Sequence, residues 1–509
     1  MAISDTTDNA LSSGGTDVLS FLSVFATVLV IFKFALTYRQ NRKLPPGPWG
    51  FPLLGHLPLL GKDPLSKFDT YRKKYGDIYR IRFGKWPTVI INGKAAIKKA
   101  LYHRGDAFND RPEFESVRLV SDMKGLSFSH FDSRYVLHRK IGASVLKLFT
   151  GLGNDAIQDI IVREVDILID DFLSHKGQAF DPNDFTYLAM GSIIYQVVYG
   201  KGKNVREDQD YLLFIQSTET FKDFVKAGNP FDVMPWMRYI LPKKYNAFVN
   251  LIETTRAVEA NKIEDVMGTF DEKDIRHATD ALIAATKQYS EEEKARVNLT
   301  DEQIVKTIGD FLGAGFDTTA TALKWAFLFL ANNPNVQEKV QKEIDDIIGY
   351  NRRPTMNDRS KLCYTEAMII ETLRMGCIAP LALPHGTCED TELLGYEIPQ
   401  NTVVFFNIFS SNYDEELWRN PYEFRPERYL NKDGMLDREK TENVLTFGIG
   451  RRRCVGEQLA RMELFLCLCI VLQRCYIRKP EGEEYNLQGD VTLTYAPKPF
   501  KIQVVSRDS

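Results

Sequence analysis

Ten residues near the C-terminus carry the sharpest chemical signal in the chain: Phe447, Gly448, Ile449, Gly450, Arg451, Arg452, Arg453, Cys454, Val455 and Gly456. A cysteine sits in a turn rich in glycine and arginine, and an amphipathic run from Glu457 to Leu472 follows at once. This layout holds a thiolate at the start of a helix, where the dipole and the unpaired amides favour negative charge and lower the thiol pKa. Gly450 and Gly456 let the backbone turn tightly and approach a flat ligand. Arg452 suits an acidic side group on that ligand. Thiolate is one of the few protein ligands of haem iron, and it pushes electron density onto the metal to favour O–O cleavage. A lone cysteine in a basic loop is usually structural, so the rest of the chain has to supply what that chemistry needs.

Such a site needs a second element facing the ligand. Thr300-Asp301-Glu302-Gln303 reads as a capping box, and a helical pattern then runs to Asn332-Asn333-Pro334, where proline ends it. Inside it lies Gly313-Ala314-Gly315-Phe316-Asp317-Thr318-Thr319. Each helical glycine costs about 1 kcal/mol relative to alanine, which asks for a reason. Small residues let the backbone come close to a flat cofactor, and Thr318 can bond the carbonyl four residues back and loosen the turn. Tight packing on a neighbouring helix would explain the glycines equally well.

The totals set bounds. The chain has 509 residues, which a length rule divides into about three domains. No Gly/Ser-rich or Pro-rich linker interrupts it after residue 50, so one large body is expected. Hydrophobic residues at 44% suffice for a sizeable core, and a net charge of −3 gives no bias toward nucleic acid. The seven cysteines all lie in the last third, without a C-x-x-C pair or zinc spacing, which suits a reducing compartment. Cys467 and Cys469 fall in an apolar helical run and read as core.

Val18 to Phe32 is nearly continuous apolar sequence, extended past Lys33 to Tyr38, about the length a thin bilayer requires. Asp5, Asp8 and Asp17 precede it, and Arg39, Arg42 and Lys43 follow. The positive-inside rule places residues 39 onward in the cytoplasm. A cleaved signal peptide would want a basic start and a small-residue cleavage site, and neither is clear. The expected organisation is a lumenal stretch 1–17, a signal-anchor helix 18–38, a basic and proline-rich hinge 39–50 (Leu44-Pro45-Pro46-Gly47-Pro48), and a single catalytic body 51–509. In that body helical patterns dominate. A small sheet is expected from Ile78–Phe83, which alternates, and Thr88–Ile91, which returns after Gly84-Lys85. Further strands are expected at 401–406 and 502–505.

The spacing Phe-x-x-Gly-x-Arg-x-Cys-x-Gly, filled by Phe447, Gly450, Arg452, Cys454 and Gly456, resembles the haem-thiolate signature of the cytochrome P-450 superfamily. The resemblance covers nearly all the chain from Leu44 onward. It implies a mainly α fold with small β-sheets behind one N-terminal transmembrane helix, and haem b as cofactor. By the same resemblance Cys454 is the axial ligand, Phe447 shields its sulfur and Arg452 holds a haem propionate. Asp317 and Thr318 match the family's acid–threonine pair that relays protons to bound dioxygen. Glu371 and Arg374, in Glu-x-x-Arg, with Arg428 of Phe424-Arg425-Pro426-Glu427-Arg428, match a buried triad that fixes the cysteine loop. Arg139 matches a haem contact on the family's third helix, where Tyr135 replaces the usual tryptophan. That departure puts one propionate contact in doubt. His385 stands where many relatives place a second propionate ligand, and a solvent-facing or core histidine is an equal reading.

The resemblance is closest to the animal microsomal group that holds the family-one aryl hydrocarbon hydroxylases and the steroid 17-hydroxylases. Residues 228–235, 311–318 and 352–359 lean toward the former. The polar asparagine sought on the roof helix of the latter is not evident, and Thr218 falls loosely there. Phe221, Ala314, Phe316, Ala379, Leu381 and Leu383 are the expected pocket walls, although both phenylalanines could be ordinary core. The implied activity is a haem-thiolate monooxygenase of the endoplasmic reticulum membrane, hydroxylating apolar, planar aromatic or steroid-like substrates. It would use O2 and electrons from NADPH-cytochrome P-450 reductase, with cytochrome b5 as a second donor. The chain shows no dinucleotide fingerprint of its own. Arg451, Arg453 and Lys140 could dock an acidic reductase surface. The competing readings are a haem-thiolate peroxide isomerase, which often lacks the acid–threonine pair, and a non-enzymatic haem sensor or lipid carrier.

Overall fold

The alternating segment at residues 78–91 forms the hairpin that its pattern requires. Strand β1 (Ile78–Phe83) pairs antiparallel with β2 (Trp86–Asn92), turning at Gly84, whose φ of 51° favours glycine. Two later segments complete this sheet: β3 (His385–Gly386) and β4 (Val403–Asn407), in the order β1-β2-β4-β3, with β4 parallel to β2. The sheet matters to function because it carries His385 at its far edge. The computed structural model describes residues 43–150, 155–200, 205–225, 229–492 and 494–507. The expected lumenal stretch 1–17 and anchor 18–38 lie outside the described residues, as does the hinge before Lys43. Among the described residues no helix is long and apolar enough to cross a membrane. The rest of the hinge lies against the sheet: Arg80 donates its amide to the Pro46 carbonyl at 2.8 Å, and a Cβ on Gly47 would collide with the Arg80 carbonyl.

Helices fill most of the body. Those that build the site are α1 (Ser133–Thr150), α2 (Asp155–Ser174), α3 (Asn183–Tyr199), α4 (Gln209–Val225), α5 (Pro242–Gly268), α6 (Asp301–Asn332), α7 (Cys363–Gly376) and α8 (Glu457–Arg474). Helix α6 begins where expected but with only half of the expected capping box, since the Gln303 side chain makes no return bond to the Thr300 amide. The Thr300 hydroxyl accepts the Gln303 amide at 3.3 Å, and Asp301 and Glu302 stand in the first turn, where the dipole favours them. Asn333 ends it and Pro334 opens the next helix. From Thr319 to Ala331 every residue of α6 is buried, so its second half is surrounded by core rather than lying on a surface. Helix α8 is likewise buried from Met462 to Gln473, and Cys467 and Cys469 are fully enclosed there.

The main apolar core draws on residues from Leu60 to Val504, so no length-based boundary divides it. The C-terminal segment closes it in two antiparallel pairs. Strand β5 (Cys475–Arg478) pairs with β8 (Gln503–Ser506), and β6 (Gly489–Val491) pairs with β7 (Tyr495–Pro497). The β6–β7 turn brings Thr494 onto α6. The expected strands at 401–406 and 502–505 correspond to β4 and β8, each shifted by a residue or two.

Candidate active site

The cysteine loop is built by local constraints. Gly448 and Gly450 take φ values of 69° and 76°, in the left-handed region, and a Cβ on Gly450 would lie 2.7 Å from the Leu101 carbonyl oxygen. The Cys454 amide donates to the Phe447 carbonyl at 2.8 Å, and the Arg453 amide to Gly450 at 3.2 Å. The loop therefore closes on itself and releases the chain into α8 at Glu457. Gly456 has a different place: a Cβ there would meet no atom within 4 Å. The Cys454 side chain is exposed.

The thiol itself departs from the sequence expectation. Burial is the largest influence and raises its pKa, and Glu457 adds to that. The Gly456 amide, Arg139 and Arg453 pull the other way and do not prevail. The helix start alone therefore does not hold a thiolate. A bound metal would supply the missing term, because coordination deprotonates a thiol outright.

Two rings of support hold the loop. Outside it, the Glu371 carboxylate is wholly buried and accepts from Arg374 Nε and Nη2 at 2.8 and 2.9 Å, Arg428 Nε at 2.8 Å, the Tyr429 hydroxyl at 3.0 Å and the Arg425 amide at 3.0 Å. Arg374 also donates to the Asn412 carbonyl at 2.6 Å. The three residues expected to form a triad thus meet. Thr446, next to Phe447, donates its hydroxyl to the Leu373 carbonyl of α7 at 2.9 Å and links that cluster to the cysteine loop. On the inner side, Arg139 bonds the Arg453 carbonyl, and the Arg461 guanidinium lies 4.8 Å from the Phe447 ring. Tyr135 is buried, its ring 4.1 Å from the Arg452 guanidinium, and its hydroxyl donates to the Arg451 carbonyl at 3.4 Å.

A second cationic group sits beside these. Arg452 donates to the carbonyls of Asn109, Leu126 and Ser129 at 2.7, 3.4 and 2.6 Å. Arg111 is 6% exposed and donates to the carbonyls of Ser127, Leu383 and Pro384 at 2.8, 3.3 and 2.7 Å. Burial lowers both guanidinium pKa values, and Arg452 depresses Arg111 further. His385 is 4% exposed and bonds the Phe108 carbonyl through Nδ1 at 2.7 Å. Burial, then Arg111, push its pKa well down, so its ring is neutral. Among the described residues, neither Arg111 nor Arg452 has a carboxylate in ion-pair contact; the nearby Asp110 is engaged by His130 at 2.9 Å. A buried cation, Arg111, with a half-buried one, Arg452, and no protein anion paired to either is costly unless a ligand brings the negative charge. That excess fits the two carboxylates of haem b beside an accessible sulfur. Arg111 carried no sequence signal, since nothing in Asp110-Arg111-Pro112 distinguishes it from a surface arginine.

Helix α6 supplies the other wall. Gly313 and Ala314 are exposed although the helix passes through the core, and a Cβ on Gly313 would meet nothing within 4 Å. Gly315 is different: its Cβ would lie 2.8 Å from Ile194 of α3. Gly315 thus packs tightly on a neighbouring helix, while Gly313 borders open space. The Thr318 hydroxyl donates to the Ala314 carbonyl at 2.8 Å, as the sequence suggested. Asp317 points elsewhere. It is 1% exposed and accepts from the Tyr187 hydroxyl, from Lys222 Nζ at 2.6 Å and from the Thr494 hydroxyl at 3.1 Å. Burial pushes its pKa up to about 6, against Lys324 and Thr494. Phe316 is fully buried, with ring centroids 5.5 Å from Tyr187 and 5.1 Å from Phe214. Phe221 is half-buried against Phe248 of α5 at 6.1 Å. Ala379 and Leu381 are half-buried and Leu383 is 38% exposed, all in the segment between α7 and β3.

A haem-thiolate site on a mainly helical body is the class these features define. The chain matches the cytochrome P450 family model over residues 45–504, and it belongs to that family. It is similar to "Cytochrome P450 1A1" of Felis catus, 36% identical over 489 residues that cover 94% of both chains. The Homo sapiens and Macaca mulatta proteins of the same name are 35% and 34% identical, covering 95% of this chain and 96% of theirs. The protein is accordingly a monooxygenase with haem b as its cofactor, and it requires O2 and a redox partner.

Proposed function

We propose that the protein hydroxylates planar aromatic substrates with electrons from NADPH-cytochrome P-450 reductase, cytochrome b5 serving as a second donor. It works as a single-pass protein of the endoplasmic reticulum membrane with its catalytic body in the cytoplasm. When bound, haem b supplies the centre at which dioxygen is activated. The protein's part is to hold, orient and protonate. Cys454 would supply the sulfur that ligates the iron, with Phe447 beside it. Arg452, Arg111 and neutral His385 receive the acidic side groups, and Arg139 and Tyr135 hold the carbonyls of Arg453 and Arg451. The Thr318 hydroxyl, already donating to Ala314, keeps lone pairs free to accept from water and pass a proton inward. Asp317, turned to Tyr187, Lys222 and Thr494, braces α6 behind that hydroxyl.

The observation that supports the aromatic reading is the concentration of rings between α4, α5 and α6. Phe214 and Phe316 meet across α4 and α6, while Phe221 and Phe224 lie 6.1 and 4.9 Å from Phe248. Flat substrates gain from offset or edge contacts with such rings. Thr218, which falls loosely where a steroid-binding asparagine is sought, donates its hydroxyl to the Phe214 carbonyl at 3.0 Å and so has no proton left to donate to a steroid carbonyl. The relatives' names add the family-one likeness. Arg451 and Arg453 stay near the surface, each in an exposed ion pair, with Asp106 at 2.9 Å and Glu457 at 2.7 Å. Such pairs cost little to exchange for a partner's carboxylates.

Reconstitution with the reductase tests this reading. A panel of polycyclic aromatics and steroids should give NADPH-dependent hydroxylation of the aromatics. Turnover of steroids alone would refute the aromatic reading.

A further inference from the structure

Among the described residues, two side-chain links join roof helix α4 to long helix α6. One is the Phe214–Phe316 ring contact at 5.1 Å. The other is Lys222, whose Nζ lies 2.6 Å from Asp317 Oδ1 and 4.0 Å from the Tyr187 ring centroid. The same carboxylate takes the Tyr187 hydroxyl from α3 and the Thr494 hydroxyl from the β6–β7 turn. One buried anion therefore gathers three separate elements onto α6. A second cation, Lys324 Nζ, stands 4.7 Å from the Tyr187 ring and donates to Asn183 Oδ1 at 2.9 Å.

The links are unequal in what they leave behind. The Lys222 side chain is only 18% exposed, so its ion pair is largely shielded from water, unlike the surface pairs of this chain. If Lys222 loses its charge, Asp317 keeps Tyr187, Thr494 and the nearby Lys324, and α6 stays in place. Toward α6 the roof helix then keeps the Phe214–Phe316 ring contact, which is non-directional and slides easily, while its other ties run to α3, through Tyr211 on the Leu188 carbonyl at 2.6 Å, and to α5, through Phe221 and Phe224 on Phe248. The pair thus gives α4 its directional tie to α6.

We propose that Lys222 is the positioning residue that ties the roof to Asp317 and sets how fast small molecules enter and leave the pocket. This rests on the haem-pocket reading given above. Lys222→Met keeps the aliphatic stem and removes the cation; Lys222→Arg restores it. The probe is 1-phenylimidazole, which ligates haem iron whatever the natural substrate, mixed with full-length holoprotein in a stopped-flow experiment. Association and dissociation rates should both rise at least fivefold in Lys222→Met and return to within twofold of wild type in Lys222→Arg. Deuterium uptake over residues 209–225 should rise in the same variant, with that of α6 unchanged. Rates within twofold of wild type in Lys222→Met, or an arginine variant as fast as the methionine one, overturn the proposal. If Lys222→Met retains no haem, Lys222→Gln is judged by the same criteria. Failure of the haem-pocket reading would show separately, as a wild-type protein without the thiolate-type carbon monoxide spectrum.

Discussion

Removing the Arg374 side chain should strip haem from the protein although Arg374 touches no part of the pocket. The guanidinium is fully buried and makes two bonds to Glu371 and one to the Asn412 carbonyl. Arg374→Ala leaves the Glu371 carboxylate with Arg428, Tyr429 and the Arg425 amide, so its charge is partly matched. Breaking a buried pair by deleting one partner costs about 3–5 kcal/mol, and the surviving contacts argue for the lower half of that range. The orphaned Asn412 carbonyl adds about 1 kcal/mol or more. A total near 4 kcal/mol is a large share of the roughly 5–15 kcal/mol that holds a folded protein together. With a urea dependence of about 3 kcal/mol per molar or more, the unfolding midpoint should drop by about 1 M. Because Thr446 passes the strain to the cysteine loop through Leu373, haem content should fall with it. Arg374→Lys keeps the charge but not the fork, and should fall between the two. Pigment content per protein and urea titration measure both effects. Full haem content and an unchanged midpoint in Arg374→Ala would refute the reasoning.

Thr318→Ala should lower product formed per NADPH consumed by about tenfold, the missing equivalents appearing as peroxide, since proton transfer by a positioned group contributes at least that much. Unchanged coupling would remove Thr318 from the relay. A pH effect is expected at Glu463, a buried residue of α8 whose carboxyl burial pushes up to about 8 against a bond from Thr319. An acid raised in the folded state adds stability that is complete below its unfolded value, about 4.3, and is lost as pH rises through about 8. Glu463→Gln should therefore lose less thermal stability than wild type between pH 7 and 9, and parallel decline of the two melting curves would contradict the burial argument.

Much of the site is readable because it depends on short spacings. The Cys454 loop needs glycine at left-handed positions, so Gly450 is fixed by backbone geometry and shows in the sequence. The triad of Glu371, Arg374 and Arg428 shows only through the family resemblance, since an acid and a base three apart on a helix are common and usually mean little. The hairpin of β1 and β2 follows from two-residue alternation around Gly84. What escaped depends on contacts between segments far apart in the chain. Arg111 joins the cationic group only because β3 and the loop at Leu126 come to it. Lys222 reads as an ordinary helix-surface lysine until α4 is laid over α6. The same applies to Asp317: the family resemblance marks it as an acid near oxygen chemistry, but only the fold shows Tyr187, Lys222 and Thr494 around it. The thiol pKa failed for a different reason. A helix start favours the anion, but desolvation of the sulfur outweighs it, and the balance between the two is not written in the spacing of residues.

The central claim is that Cys454 gives its sulfur to haem iron. The absorption spectrum of the reduced, carbon-monoxide-bound protein tests it most directly, taken for wild type and for Cys454→Ser. Wild type should show the red-shifted Soret band of thiolate ligation, and the serine variant should lose it. An identical red-shifted band in both proteins, or an imidazole-type spectrum in wild type, would contradict the account.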